Sequence, residues 1–256
     1  MRYTDINSNA WDAWGENNCP WTIPITHEEY IKAKQGDWAV ILTPCVPVPR
    51  DWFLPFEGCK ILGLASGGAQ QMPVFAALGA LCTILDYSDS QLQKERDTAA
   101  REGYDIEIVK ADMTLPLPFD DGQFDLIFHP VSNCYIENVQ HVWDECYRIL
   151  RPGGVLLAGL DNGINYLFDE DENNPLKIVN KLPYNPLKMS EKERRRELKI
   201  NEGTFQFSHT MEEQVGGQLK AGFLLTGLYE DRDRPGDSPD ISEYIPNYAA
   251  TRAIKP

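Results

Sequence analysis

From Lys60 onward the chain alternates short apolar runs with longer amphipathic stretches. Ile61-Leu62-Gly63-Leu64 has the length and bulk of a buried strand. A helix is expected from about Gln70 to Leu78, with Pro73 in its opening turn, where proline is tolerated. Leu81-Cys82-Thr83-Ile84-Leu85 is a second strand, ending at Asp86. Ser88 and Gln91 form a capping box that opens a charged helix to about Glu102, and Gly103 stops it. Ile106 to Val109 and Phe124 to Phe128 give a third and a fourth strand. Val139, Val142, Trp143, Cys146 and Ile149/Leu150 recur on one helical face, closed by Arg151-Pro152-Gly153-Gly154. Val155 to Leu160 is a fifth strand. Strands alternating with helices predict a parallel sheet covered on both faces.

Residues 161–207 break this rhythm. Ser190 with Glu193 caps a very polar helix from Glu191 to about Lys199, which reads as a solvated face or as an overhang above a ligand crevice. Thr210 with Glu213 opens another helix, ending near Ala221-Gly222. Phe223 to Tyr229 and Tyr248 to Ile254 are closing strands, joined by the polar loop EDRDRPGDSPDIS. Residues 1–59 read as an N-terminal extension holding Trp11, Trp14, Trp21, Trp38 and Trp52. Within it, Thr26 and Glu29 form a capping box for a helix from His27 to about Lys34, stopped by Gly36. Trp38 to Thr43 is extended, and Pro44, Pro47, Pro49 and Pro55 exclude regular structure beyond it. This flap either packs on the core or closes over a ligand. The boundaries are thus an extension over 1–59 and one α/β domain over 60–256, with an insertion at about 161–207.

Charge narrows the function. The 256 residues carry 24 basic and 39 acidic side chains, a net charge of −15. A phosphate backbone or an anionic bilayer would be repelled, so neither nucleic acid nor membrane is an expected partner. The first residues lack a basic-then-apolar leader pattern, and the cytosol is the expected compartment. Six scattered cysteines without a CxxC pair read as small buried hydrophobes. His27, His141 and His209 have no mutual spacing that suggests a metal site, and none is expected.

The candidate chemistry centres on KILGLASGGAQQ, Lys60 to Gln71. A strand that empties into small residues and then a helix lets a ligand approach the backbone. Asp86 follows Gly67 by 19 positions (86 − 67), the spacing at which a second strand tip meets a ribose hydroxyl pair.

Four segments, ILGLASGGAQ, TILDYSDSQL, IVKADMTLPLPFDDGQFDLIF and ECYRILRPGGVLLAG, resemble the class I S-adenosylmethionine-dependent methyltransferases, especially their small-molecule group. The likeness runs from about Lys60 to Lys255. It implies an α/β, Rossmann-like three-layer sandwich: a seven-stranded, mostly parallel sheet whose last strand is antiparallel. It also implies S-adenosylmethionine as cofactor and a small-molecule methyl acceptor, in a monomer or homodimer. The resemblance places Ala65, Ser66 and Gly67 at the methionine end of the cofactor and counts Gly63 and Gln70 among the cofactor-binding residues. Asp86 would take the ribose hydroxyls, with Tyr87 and Ser88 beside it, and Asp112 and Met113 would border the adenine. His129 and Pro130 would lie beside the sulfonium, with His129 as the candidate general base. Tyr135 reads first as a packing residue and second as a catalytic one.

The glycine loop departs from the family's acidic-x-Gly-x-Gly-x-Gly, with Gly63, Ala65, Gly67 and Ala69 at those positions. Alanine is expected there only with negative φ. Two rival functions stay open: a nicotinamide-dinucleotide oxidoreductase, which shares the acidic strand tip, and a cofactor-binding regulatory protein without catalysis.

Overall fold

The computed structural model describes residues 2–168, 176–234 and 240–256. Residues 169–175 of the irregular segment and 235–239 of the polar loop lie outside the described residues. The elements in chain order are α1 (Tyr3–Glu16), α2 (His27–Lys34), β1 (Lys60–Leu64), α3 (Met72–Ala77), β2 (Leu81–Asp86), α4 (Asp89–Glu102), β3 (Ile106–Lys110) and β4 (Phe124–His129). They continue with α5 (Val139–Ile149), β5 (Leu150–Asp161), α6 (Glu191–Ile200), α7 (Gly217–Ala221), β6 (Leu224–Asp231) and β7 (Tyr248–Ile254).

The strands form one seven-stranded sheet in the order β3-β2-β1-β4-β5-β7-β6. Pairing is parallel from β3 to β5, and β7 runs antiparallel between β5 and β6. Strand β1 shows why the sheet is a middle layer. Ile61 packs with α3 and its cover, while Leu62 and Leu64 pack with α5. Side chains alternate across a strand, and here both faces are apolar. The face below is sealed by Val139, Val142, Trp143, Cys146 and Ile149 of α5, each 2% exposed or less. This is the Rossmann-like three-layer sandwich that the sequence resemblance implies.

Part of the N-terminal extension enters the core. Val40, Leu42, Val48 and Trp52 belong to the core cluster built on Ile61, Leu126, Phe128 and Leu157. Residues 3–16 form a helix that the sequence reading did not include. Strand β5 begins at Leu150, which pairs Phe124 before Arg151-Pro152-Gly153-Gly154 bulges out and pairing resumes at Val155. The helix after Thr210 starts with a π-helical turn, Glu212–Gly216. A Cβ at Gly217 would lie 2.6 Å from the Trp143 ring. Four of the six cysteines are buried, as small hydrophobes are, but Cys45 is exposed. Among the described residues no helix is long and apolar enough to cross a membrane.

Sheet order reverses between β1 and β4, so a crevice opens at the carboxyl ends of these strands.

Candidate active site

A cavity of about 920 Å³ occupies that crevice. Its floor is built by four strand tips. Ala65, Ser66, Gly67 and Gln70 come from the loop after β1, and Asp86, Tyr87 and Ser88 from the end of β2. Asp112 and Met113 follow β3, and Pro130 follows β4. Ten of the residues that the sequence singled out therefore line one space.

Gly67 and Asp86 are joined directly. The Gly67 N–H donates to Asp86 Oδ2 at 2.9 Å, and the Ser88 N–H donates to Asp86 Oδ1 at 2.9 Å. A Cβ at Gly67 would lie 2.9 Å from that carboxylate and 2.8 Å from Gln91 Cβ, so the approach requires glycine. Each Asp86 oxygen keeps acceptor capacity for a second donor. Burial pushes the Asp86 carboxyl above its usual range, and its backbone N–H bonds pull the other way.

The two loop alanines correct the expectation about φ. Ala65 has φ 48° and Ala69 has φ 57°, both in the left-handed region. That conformation costs an alanine roughly 1–2 kcal/mol, and specific bonds hold it. The Ala65 N–H donates to Leu85 O at 2.8 Å, and the Ala69 N–H to Glu95 Oε1 at 2.7 Å. Burial raises the Glu95 carboxyl to about 8, so it is a neutral anchor at pH 7.

Asp112 splits its roles. Oδ1 accepts from the Thr114 N–H and hydroxyl at 2.9 and 2.7 Å. Oδ2 faces the Arg2 guanidinium at 3.2 Å and has no other partner among the described residues. Arg2 also donates to the Tyr87 hydroxyl at 2.7 Å. The buried Ser66 hydroxyl has no hydrogen-bond partner among the described residues.

Two candidates fall outside the cavity. Gly63 lies mid-strand, where a Cβ would meet Ser66, Ile84 and Met72, so its role is close packing. His129 is fully buried, with its ring edge-on to Trp143 at 5.9 Å. Nδ1 lies 2.9 Å from Leu64 O, and Nε2 2.9 Å from the Asn133 side-chain amide. Burial lowers its pKa, so the ring is neutral. It then donates from Nδ1 and accepts at Nε2 from the Asn133 amide, whose two ends are interchangeable. Both nitrogens are spent on structure, and His129 is not placed to deprotonate a ligand. His129→Ala should lower stability by roughly 1–3 kcal/mol, through the unpaired Leu64 carbonyl and Asn133 amide. A urea titration checks it; an unchanged midpoint would contradict this bracing role.

The roof is where sequence reasoning missed residues. On α1, Thr4, Asn7, Trp11 and Trp14 follow helical spacing and all line the cavity. Asn7 is a two-way clasp. Its Nδ2 donates to Tyr135 O and Phe205 O at 3.1 and 2.9 Å, and its Oδ1 accepts from the Phe205 N–H. Asp12 Oδ1 accepts from the Ser88 hydroxyl at 2.6 Å and the Ser90 N–H at 2.9 Å. Gln70 Nε2 ties the floor to the extension through Trp21 O and Ile23 O. On α6, Glu193, Arg196, Glu197 and Ile200 share a face over the same space. The polar helix is thus the overhang and not only a solvated surface.

The uncharacterized methyltransferase YbaJ of Bacillus subtilis is 41% identical over 97% of this chain and 97% of its own length. The chain belongs to the class I methyltransferase family. The model of the methyltransferase domain matches residues 62–158, which hold β1 to β5. The ubiquinone/menaquinone biosynthesis C-methyltransferase UbiE of Cereibacter sphaeroides is 32% identical over 42% of this chain and 44% of its own. The S-adenosylmethionine dependent methyltransferase of Mesorhizobium loti, a solved structure, superposes with a TM-score of 0.61 at 18% identity. It covers 80% of this chain and 94% of its own. Helices α1 and α6, which roof the cavity, lie beyond the matched domain.

Proposed function

We propose that this methyltransferase takes its methyl group from S-adenosylmethionine and delivers it to a small-molecule acceptor. The observation that carries the reading is the meeting of Gly67, Asp86 and Asp112 on the floor of one roofed cavity. Their donor set fits the cofactor. Asp86 has two oxygens with capacity for the paired ribose hydroxyls, and Asp112 Oδ2 can accept from the adenine amino group. The Gly67 loop lines the cavity beside Asp86, where it would meet the amino-acid end. Bound there, S-adenosylmethionine supplies a methyl group already activated by its sulfonium. The protein's task is to align the acceptor and exclude water. Helices α1 and α6 provide the exclusion. A roofed space of about 920 Å³ suits a cofactor and a compact partner, not a polymer, and the net charge of −15 disfavours nucleic acid.

S-adenosylhomocysteine at 100 times its Kd should stabilise the fold by about 2.7 kcal/mol, read as a raised Tm. NAD and NADP should leave Tm unchanged. A rise with the dinucleotides alone would replace this reading with the oxidoreductase one.

A further inference from the structure

The cavity extends past the β4 tip, to the side away from Asp86. Asp161, the last residue of β5, reaches it. The side chain is 6% exposed. Its Oδ1 accepts from the Gly163 N–H at 2.9 Å, which fixes the carboxyl plane. Its Oδ2 is buried and has no hydrogen-bond partner among the described residues. An orphaned carboxylate oxygen is costly unless a ligand satisfies it.

The walls around it are aromatic and acidic. Tyr166 follows β5 and donates to Gln206 Oε1 at 2.9 Å, with its ring stacked on Tyr184 at 5.3 Å. Cys134 and Tyr135, from the turn after β4, and Tyr248 of β7 line the same space. Asp233, after β6, lines the same space and accepts from Asn165 Nδ2 at 3.2 Å. Arg196 reaches the cavity from α6. Aromatic faces and carboxylates together favour a cation.

We propose that Asp161 is the catalytic base of this enzyme, and that its acceptor is a small amine which enters as an ammonium. The inference rests on the methyl-transfer reading above. The ammonium donates a hydrogen bond to Asp161 Oδ2 and passes that proton to it. The freed nitrogen lone pair then forms the N–C bond to the methyl carbon. The C–S bond breaks with its electron pair on sulfur, and a neutral thioether leaves. The product is a methylated ammonium, and the protonated Asp161 returns its proton to solvent. Burial raises the Asp161 carboxyl to about 7, a value matched to accepting a proton near neutral pH.

The test compares wild type with Asp161→Asn and Asp161→Glu. Each is incubated with methyl-tritiated S-adenosylmethionine and the sub-kilodalton fraction of a bacterial extract; unreacted cofactor, itself a cation, is then removed on charcoal and the remainder is split by cation exchange. Label should collect in the cation-retained pool with wild type. Asp161→Asn should lower transfer on the order of 10²-fold or more, and Asp161→Glu should recover part of it. The wild-type rate should rise through about pH 7, a limb that Asp161→Asn loses. S-adenosylhomocysteine affinity, titrated calorimetrically, should stay within about two-fold in all three proteins, since Asp161 does not bear on the Asp86 floor.

Stability gives a readout independent of turnover. A carboxyl raised by folding favours the fold below its unfolded pKa, and that contribution is lost as pH rises through about 7. The Tm of Asp161→Asn should therefore gain on that of wild type between pH 5 and 8. Undiminished transfer by Asp161→Asn, or label in the neutral or anionic pools, overturns the proposal alone. Absence of label from every pool, with S-adenosylhomocysteine still bound, overturns the methyl-transfer reading and this proposal with it.

Discussion

Replacing Asp86 with alanine should weaken S-adenosylhomocysteine binding by roughly 1–3 kcal/mol, or about 5- to 150-fold. Two losses combine. The ribose hydroxyls lose their acceptors, and the Gly67 and Ser88 N–H groups lose theirs, which frees the loop that forms the floor. Asparagine should fare little better. Its amide can keep one oxygen acceptor, but its NH₂ would face one of the two N–H donors. The fold should persist, because burial already disfavours the charged carboxyl that the substitution removes. Calorimetric titration decides the point. Unchanged affinity in a folded Asp86→Ala protein would mean that the ribose is held elsewhere.

Removing residues 2–16 should be more damaging to stability. Helix α1 gives Asn7 to three backbone groups of the Tyr135 and Phe205 segments. Its Tyr3 ring packs on Phe207 at 5.2 Å, and its Trp11 ring on Tyr135 at 5.5 Å. Each buried bond contributes about 1 kcal/mol and each covered ring about 1.5–3 kcal/mol, so a deficit of roughly 6–9 kcal/mol is expected. Cofactor affinity should fall as well, since the roof over Tyr87 and Asp112 goes with the helix. Denaturant unfolding of the shortened chain measures the first effect, and titration the second. A truncated protein with wild-type stability and affinity would show that α1 is idle.

The sheet and the floor were legible in the sequence for definite reasons. Apolar runs such as Leu81 to Leu85 can hardly be anything but buried strands once Gly103-type stops separate them from charged helices. The 19-residue spacing from Gly67 to Asp86 measures one helix and one strand, so it carries a distance in the folded protein. The roof was less legible because its inward face is not apolar. Polar Thr4 and Asn7 share the inner face of α1 with its tryptophans, and Glu193, Arg196 and Glu197 make the inner face of α6 look solvated. Their spacing at i, i+3, i+4 and i+7 was the available signal. His129 failed for another reason. A residue at a strand tip can turn toward the crevice or back into the layer below. Sequence position does not distinguish these, and the Leu64 carbonyl and Asn133 amide draw the ring inward. Asp161 was passed over because it ends an apolar strand and reads as an ordinary loop acid.

The Asn7 clasp has a consequence for the order in which the chain is made. Its partner Phe205 lies 198 residues later. At cellular synthesis rates that separation is a delay of roughly 10–40 s. A lone 14-residue helix is marginal in water, so α1 has little to hold it during that interval. Its tryptophans emerge first and wait while β1 to β5 are laid down and pair behind them. The roof over the floor accordingly closes only once the segment around Phe205 has left the ribosome. A nascent chain stalled before that point would carry the floor of the site without its roof.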